Sequence, residues 1–155
     1  DPDRIIEAGD VDICCFDKTG TLTENHMRVR GIVCDPKSVD SPVPTAQVNF
    51  ISARILAVCH SLRRLNGKLL GPDWEVSTFK ELQEQGWKLE DTDVVVVPEN
   101  YDGSKLIKVR DFPFKSKYRR MSVVVQVKDR YMVFVKGKPS TLQSMYTHNE
   151  EQTER

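Results

Sequence analysis

A chain of 155 residues can bury the core of one ordinary domain and is too short for two, although one domain and a piece of another would fit. Its 23 basic and 23 acidic side chains cancel, which argues against a dedicated nucleic-acid surface, since that would carry a basic excess. The longest apolar runs, such as Val94 to Val97, fall far below bilayer-spanning length, and Asp1-Pro2-Asp3-Arg4 puts charge where a signal sequence needs an apolar stretch, so a soluble chain is expected.

The first elements follow from apolar periodicity. Residues 1–12 are mostly polar, and Gly9-Asp10 marks a turn before a predicted strand, Val11 to Phe16. So short a lead into a buried strand reads as a cut from something longer. The strand delivers Asp17 to its carboxyl end, the place where open α/β sheets present ligand groups, and Lys18-Thr19-Gly20-Thr21-Leu22-Thr23 follows at once. Alone, an aspartate two residues before a threonine is a common turn former. From Glu24 to Cys34, Met27, Val29, Gly31 and Val33 alternate with His26, Arg28 and Arg30, the pattern of a strand with one covered face. Asp35 to Thr45, with Pro36, Pro42 and Pro44, reads as a loop and a boundary between two units.

Asn49 to Leu65 is the clearest predicted helix, with Phe50, Ile51, Arg54, Ile55, Val58, Cys59 and Leu62 on one stripe. Asn66-Gly67 predicts a tight reversal, and Pro72 stands where it would open the next helix, Trp74 to Gln85, which Gly86 ends. Beyond Trp87 the period becomes that of strands: Val94 to Val97, an extended Lys105 to Phe114, and a hairpin of Met121 to Val127 and Tyr131 to Val135. A final helix runs from Ser140, as its cap, to Tyr146, before a polar tail, Thr147 to Arg155, expected to fray. Cys14, Cys15, Cys34 and Cys59 show no C-x-x-C spacing and no companion histidine cluster, so they read as reduced thiols and not as a zinc site.

The chemistry suggested by these residues is phosphoryl transfer. Lys18 offsets charge, the backbone N–H groups around Thr19 to Thr21 can form an anion nest, and two threonine hydroxyls can donate. Asp17 is therefore a candidate nucleophile toward a γ-phosphoryl group, with magnesium held by Asp17 and the carbonyl of Thr19. Thr19 stands where a second aspartate would act as general acid or base, so an acyl phosphate formed here should persist. A second candidate site is Phe112 to Met121, where Phe114 offers a stacking surface and Lys115, Lys117, Arg119 and Arg120 supply charge. Core phenylalanines and a solvated basic face are the plainer account of that stretch. Lys136-Gly137 offers a point charge beside a residue that allows close approach, and Glu75 can accept from an adenine amino group, although a helical glutamate is ordinarily only solvated.

Asp17 to Thr23, D-K-T-G-T-L-T, resembles the phosphorylation motif of the P-type ATPases. Phe114 with Met121-Ser122-Val123, and Lys136-Gly137-Lys138-Pro139-Ser140, resemble two nucleotide-pocket motifs of the same family, and Glu75 matches its adenine-contacting glutamate. The resemblance implies an α/β (α+β) architecture: a twisted antiparallel sheet with flanking helices, plus the first strand of a phosphorylation domain of haloacid-dehalogenase type. It divides the chain into the start of that domain (1–24), a hinge with a first strand and linker (25–45) and a partial nucleotide-binding domain (46–155). It implies ATP as substrate, Mg2+ as cofactor, and catalytic Asp17, Lys18 and Thr19. Glu75, Phe114, Arg120, Lys136 and Gly137 become nucleotide contacts, and the remaining actuator, phosphorylation and transmembrane domains of one parent protein become the partners.

Cys59-His60-Ser61-Leu62, N-G-K-L-L-G-P-D and F-P-F-x6-M-S-V-V-V look like the type V group, and more like its endolysosomal branch of polyamine and cation pumps. That places the parent in a late endosomal, lysosomal or vacuolar membrane, with this part facing the cytosol. Cys14-Cys15-Phe16 and the pattern at residues 136–145 lean instead toward the endoplasmic-reticulum branch, which removes misinserted transmembrane helices. Gly71-Pro72-Asp73 inverts the family's usual order, and Lys138 and Ser140 replace an alanine and a glutamate. A soluble phosphatase would need an aspartate at Thr19. A non-catalytic nucleotide-binding or regulatory domain is the rival from another class, and the isolated chain is expected to be inactive.

Overall fold

The computed structural model describes residues 2–24, 26–33 and 41–145. Its main body is a five-stranded antiparallel sheet in sequential order, β3 (Lys88–Asp91), β4 (Val94–Val96), β5 (Lys105–Lys115), β6 (Arg120–Val127) and β7 (Arg130–Gly137). Two helices, α2 (Phe50–Val58) and α3 (Asp73–Glu84), supply Ala53, Ala57, Val58, Phe79 and Leu82 to one core with Leu106, Val123, Val125 and Phe134 of the sheet. β6 shows why: its residues alternate buried and half-buried along its whole length, so Met121, Val123, Val125 and Val127 share the covered face. Ile107, Val109 and Val133 remain exposed.

Between the helices, Arg63–Leu65 (β1) and Lys68–Leu70 (β2) form a two-stranded hairpin. The predicted helix to Leu65 therefore stops at Val58. Asn49 caps its start by accepting from the Ser52 N–H at 2.8 Å, and Cys59 leaves helical geometry at its end. Positive φ angles at Asn66 (49°) and Gly67 (78°) build the reversal that draws Arg63 to Leu65 into the hairpin. Ile51, expected in the core stripe, is exposed, while Arg54 turns to Asp102 at 2.8 Å across the Phe50 ring.

α3 begins at Asp73, so Pro72 is its cap residue and not its first turn, and Gly86 follows its end with φ 92°. The last helix, α4, spans Pro139–Gln143 with Lys138 as cap residue, so Ser140 lies inside it. Its expected end at Tyr146, the tail beyond, Asn25, Cys34 and residues 35–40 of the linker lie outside the described residues. Cys14 and Cys15 are exposed, and Cys59 is buried and free.

The amino-terminal part departs most from expectation. A short helix, α1 (Pro2–Gly9), occupies the stretch read as polar lead. Val11 to Phe16 is not a strand: a ladder needs a neighbour, none of the described segments runs beside it, and Ile13 is 81% exposed. The strand expected from Glu24 is likewise reduced to a single antiparallel bridge, Ile32 to Val43. Val43 is followed by a single helical turn, Thr45–Gln47, whose buried Thr45 hydroxyl reaches Glu81 at 3.3 Å. Among the described residues no helix is long and apolar enough to cross a membrane.

Candidate functional site

One end of the sheet and the amino-terminal turn of α3 enclose a cleft of about 880 Å3. Four of the residues singled out in the sequence meet there: Glu75 from α3, Phe114 from the end of β5, and Lys136 and Gly137 from the end of β7. Trp74, Ser61, Arg119 and Met121 are also among its lining residues.

The placement of Phe114 rests on a strand irregularity. Residues two apart in a regular strand share a face, so Phe112 and Phe114 should point together. The register shifts between Phe112 and Lys115, and the two rings part: Phe112 joins Lys115, Tyr118 and Arg120 around a separate hollow of about 230 Å3, while Phe114, 59% exposed, turns to the main cleft. The same alternation separates the two arginines. Arg120 lies on the Phe112 side, with its guanidinium near Tyr118 and Met145, and Arg119 enters the main cleft.

Gly137 is fixed by close packing. A Cβ there would stand 2.7 Å from the Arg119 carbonyl oxygen and 2.7 Å from Arg120 Cβ, so β7 can lie this close to the turn only with glycine. Lys138 N–H then donates to the Arg119 carbonyl at 2.9 Å and ties the two chain segments together.

At the base of the cleft, Glu75 is 3% exposed and accepts three hydrogen bonds. Lys136 Nζ donates to Oε1 at 2.8 Å, and the backbone N–H and hydroxyl of Ser61 donate to Oε2 at 2.9 and 2.7 Å. Burial is the largest single influence on the carboxyl and pushes its pKa up, but the Lys136 and Ser61 donors together outweigh it and hold it below the ordinary range. The Lys136 ammonium also sits 4.3 Å from the centre of the Trp74 ring. Beneath lies His60, whose pKa burial lowers to about 4, with Lys108 adding to the effect, and whose Nδ1 accepts from the Leu62 N–H. Cys59 is pushed up to about 11 by burial and is an inert thiol at neutral pH. The cleft thus combines two aromatic rings, one engaged cation and one engaged carboxylate, an arrangement suited to a flat, polar heteroaromatic group.

Asp17, Lys18 and Thr19 are exposed and stand outside this lining. Their turn is irregular: Thr19 and Gly20 leave helical geometry, Gly20 has φ 82°, and its N–H donates to the Thr23 hydroxyl at 3.2 Å. Among the described residues no group of three or more His, Cys, Asp or Glu side chains is placed to hold a metal ion. Sequence reasoning missed Ser61 and Trp74. Trp74 adjoins Glu75 in a predicted helix, but an aromatic in an apolar set reads as core, and the 14-residue separation of Ser61 from Glu75 conceals their contact.

No family model matches the chain. Among curated proteins, a probable manganese-transporting ATPase of Arabidopsis thaliana is 36% identical over 143 residues, covering 92% of this chain and 12% of the relative. The endoplasmic reticulum transmembrane helix translocase of Schizosaccharomyces pombe is 37% identical over 162 residues, with 94% and 13% covered. The vacuolar cation-transporting ATPase of Saccharomyces cerevisiae is 29% identical over 204 residues, with 91% and 14% covered. The antiparallel body carries a cleft lined by aromatic and charged side chains. The chain belongs to the type V P-type ATPases and spans about an eighth of the length of these relatives.

Proposed function

We propose that this chain is the ATP-handling segment of an ATP-driven membrane transporter, with the cleft around Glu75, Phe114 and Lys136 as its nucleotide pocket. The supporting observation is the convergence of Glu75, Phe114, Lys136 and Gly137, far apart in sequence, on one concave surface. In this reading residues 46–155 are the partial nucleotide-binding domain, residues 25–45 the hinge, and residues 1–24 the start of the haloacid-dehalogenase-type phosphorylation domain. Adenine stacks on Phe114 and is met at its edge by Glu75, while Lys136 faces the nucleotide. In the parent protein an Asp17 carboxylate oxygen attacks the γ-phosphorus, the bond to the β-phosphate oxygen breaks, and ADP leaves.

Magnesium would neutralise charge on the transferring group. One carboxylate and one carbonyl, from Asp17 and Thr19, fit an ion that arrives with ATP and keeps several waters, and would not suffice for a resident site. The isolated chain binds nucleotide without turning it over, because the actuator, the rest of the phosphorylation domain and the membrane helices complete the machinery.

Two branches of the type V group stand as readings of the transported cargo: polyamine or cation pumping in late endosomal, lysosomal or vacuolar membranes, and helix removal in the endoplasmic reticulum. Identities of 37% and 32% to two endoplasmic reticulum translocases stand beside 36% to the probable manganese-transporting ATPase and 29% to the vacuolar ATPase, so identity alone does not choose between the two branches. Chemical-shift titration with ATP tests the pocket. Resonances of Glu75, Phe114 and Lys136 should move, and an unchanged spectrum at millimolar ATP would remove the binding claim. In the full-length protein, radiolabel from γ-labelled ATP should be retained covalently and be lost in Asp17→Asn.

A further inference from the structure

α3 carries Trp74 and Glu75 to the cleft described above, and Val76, Lys80 and Gln83 to another. This second hollow, of about 490 Å3, is bounded by the β1–β2 hairpin and the start of β3. Arg64, Lys68, Lys80 and Lys88 line it, and no acidic side chain does. In a chain whose 23 basic and 23 acidic residues balance, that is a local segregation of charge. Four separate elements, β1, β2, α3 and β3, contribute one cation each, so the cluster is not one solvated helix face.

Its charge is also uncommitted. Lys68, Lys80 and Lys88 have no ion-pair or hydrogen-bond partner among the described residues, whereas Lys105 and Lys136 are each paired with a glutamate. Arg64 donates from one terminal nitrogen to the Leu89 carbonyl at 2.9 Å, which anchors the guanidinium at the rim and leaves its other donors for a ligand. Leu69, Val76 and Leu89 supply the apolar part of the lining. Positive charges gathered around a concavity focus the field and raise the local concentration of anions.

We propose that this hollow binds a compact anion carrying two or more phosphate groups, either free in solution or displayed as a lipid headgroup. A volume of about 490 Å3 suits a small ligand. An acidic peptide carries a single charge per side chain on an extended backbone, and would need a groove, whereas clustered phosphates concentrate charge within the reach of one arginine fork and three lysine heads. The site is distinct from the nucleotide pocket, and the proposal stands or falls without it.

The test is calorimetric titration of the 155-residue chain with myo-inositol hexakisphosphate, alongside co-sedimentation with phosphatidylcholine vesicles containing either a phosphatidylinositol bisphosphate or phosphatidylserine. Lys80→Glu with Lys88→Glu, both exposed positions, should weaken binding about tenfold or more, with weaker binding in higher salt. Lys128→Glu with Arg130→Glu, exposed positions at the β6–β7 turn, makes the same change of net charge elsewhere and should leave affinity within about twofold. Circular dichroism verifies that each variant is folded, and Lys80→Gln with Lys88→Gln provides a milder pair with loss in the same direction. Hexakisphosphate binding alone assigns a soluble ligand, and bisphosphate-vesicle binding alone assigns a headgroup. The proposal is overturned if neither probe binds, if both glutamate pairs weaken binding equally, or if poly-glutamate, titrated in the same way, binds in preference to the phosphates.

Discussion

Replacing Lys136 with alanine removes the donor that sits 2.8 Å from Glu75 Oε1, and leaves a carboxylate whose side chain is 2% exposed against 23% for the lysine. Breaking one partner of a buried pair costs ~3–5 kcal/mol when nothing else compensates. Here the two Ser61 hydrogen bonds to Oε2 persist, so only one carboxylate oxygen is orphaned. The expected loss at pH 7 is therefore about 2–3 kcal/mol. With a urea m-value of about 2 kcal/mol/M, the unfolding midpoint should fall by about 1 M.

The pH dependence carries a sign. Because the Glu75 pKa is held below its ordinary value of 4.5, its ion pair stabilises the fold above that pH and is lost as pH falls through the folded value. Without Lys136, burial is less strongly opposed and the carboxyl pKa rises. The variant then protonates Glu75 earlier, and its deficit relative to the parent should shrink as pH drops from 7 toward 4.5. Urea unfolding followed by far-ultraviolet circular dichroism, at both pH values, reads this directly. A deficit under about 0.5 kcal/mol at pH 7, or an equal deficit in a Glu75→Gln background, would refute the reasoning.

Three further outcomes are expected. Gly137→Ala should destabilise by about 1–3 kcal/mol, because the new methyl meets backbone atoms of Arg119 and Arg120; an unchanged melting temperature would count against that close approach. The low pKa of buried His60 favours the fold above pH 6.5, and this contribution is lost as pH falls toward 4, by up to about 1.4 kcal/mol per pH unit. His60→Gln should flatten the stability profile across that window, as measured by urea midpoints. Finally, Trp74 is 46% exposed in the cleft and Trp87 is 1% exposed in the core, so fluorescence quenching by ATP should vanish in Trp74→Phe while Trp87 emission persists.

The sequence was most informative where periodicity and turn chemistry agree. The β6–β7 hairpin, the Asn66-Gly67 reversal and the Gly86 stop all follow from local rules that tertiary packing does not contradict. Val11 to Phe16 shows the opposite case, because its apolar run fits a buried strand, yet a strand is a property of a pair and none of the described segments provides the other member. In the candidate site, Glu75 and Lys136 were legible as isolated residues, but their mutual contact spans 61 positions and no local pattern encodes it. Arg119, and not Arg120, lines the cleft for a similar reason: a one-residue register shift before the turn decides which guanidinium faces it, and single-sequence alternation does not locate such a shift.

α3 is a 12-residue rod, about 18 Å long, pinned on its inner side by Phe79 and Leu82. It is also a party wall, with Trp74 and Glu75 facing one chamber and Val76, Lys80 and Gln83 facing the other. A small sideways movement of such a partition enlarges one chamber at the expense of its neighbour. If occupancy of either chamber sets the position of the rod, thermodynamic reciprocity obliges the other occupant to feel it equally, so the two affinities become a single measurable coupling.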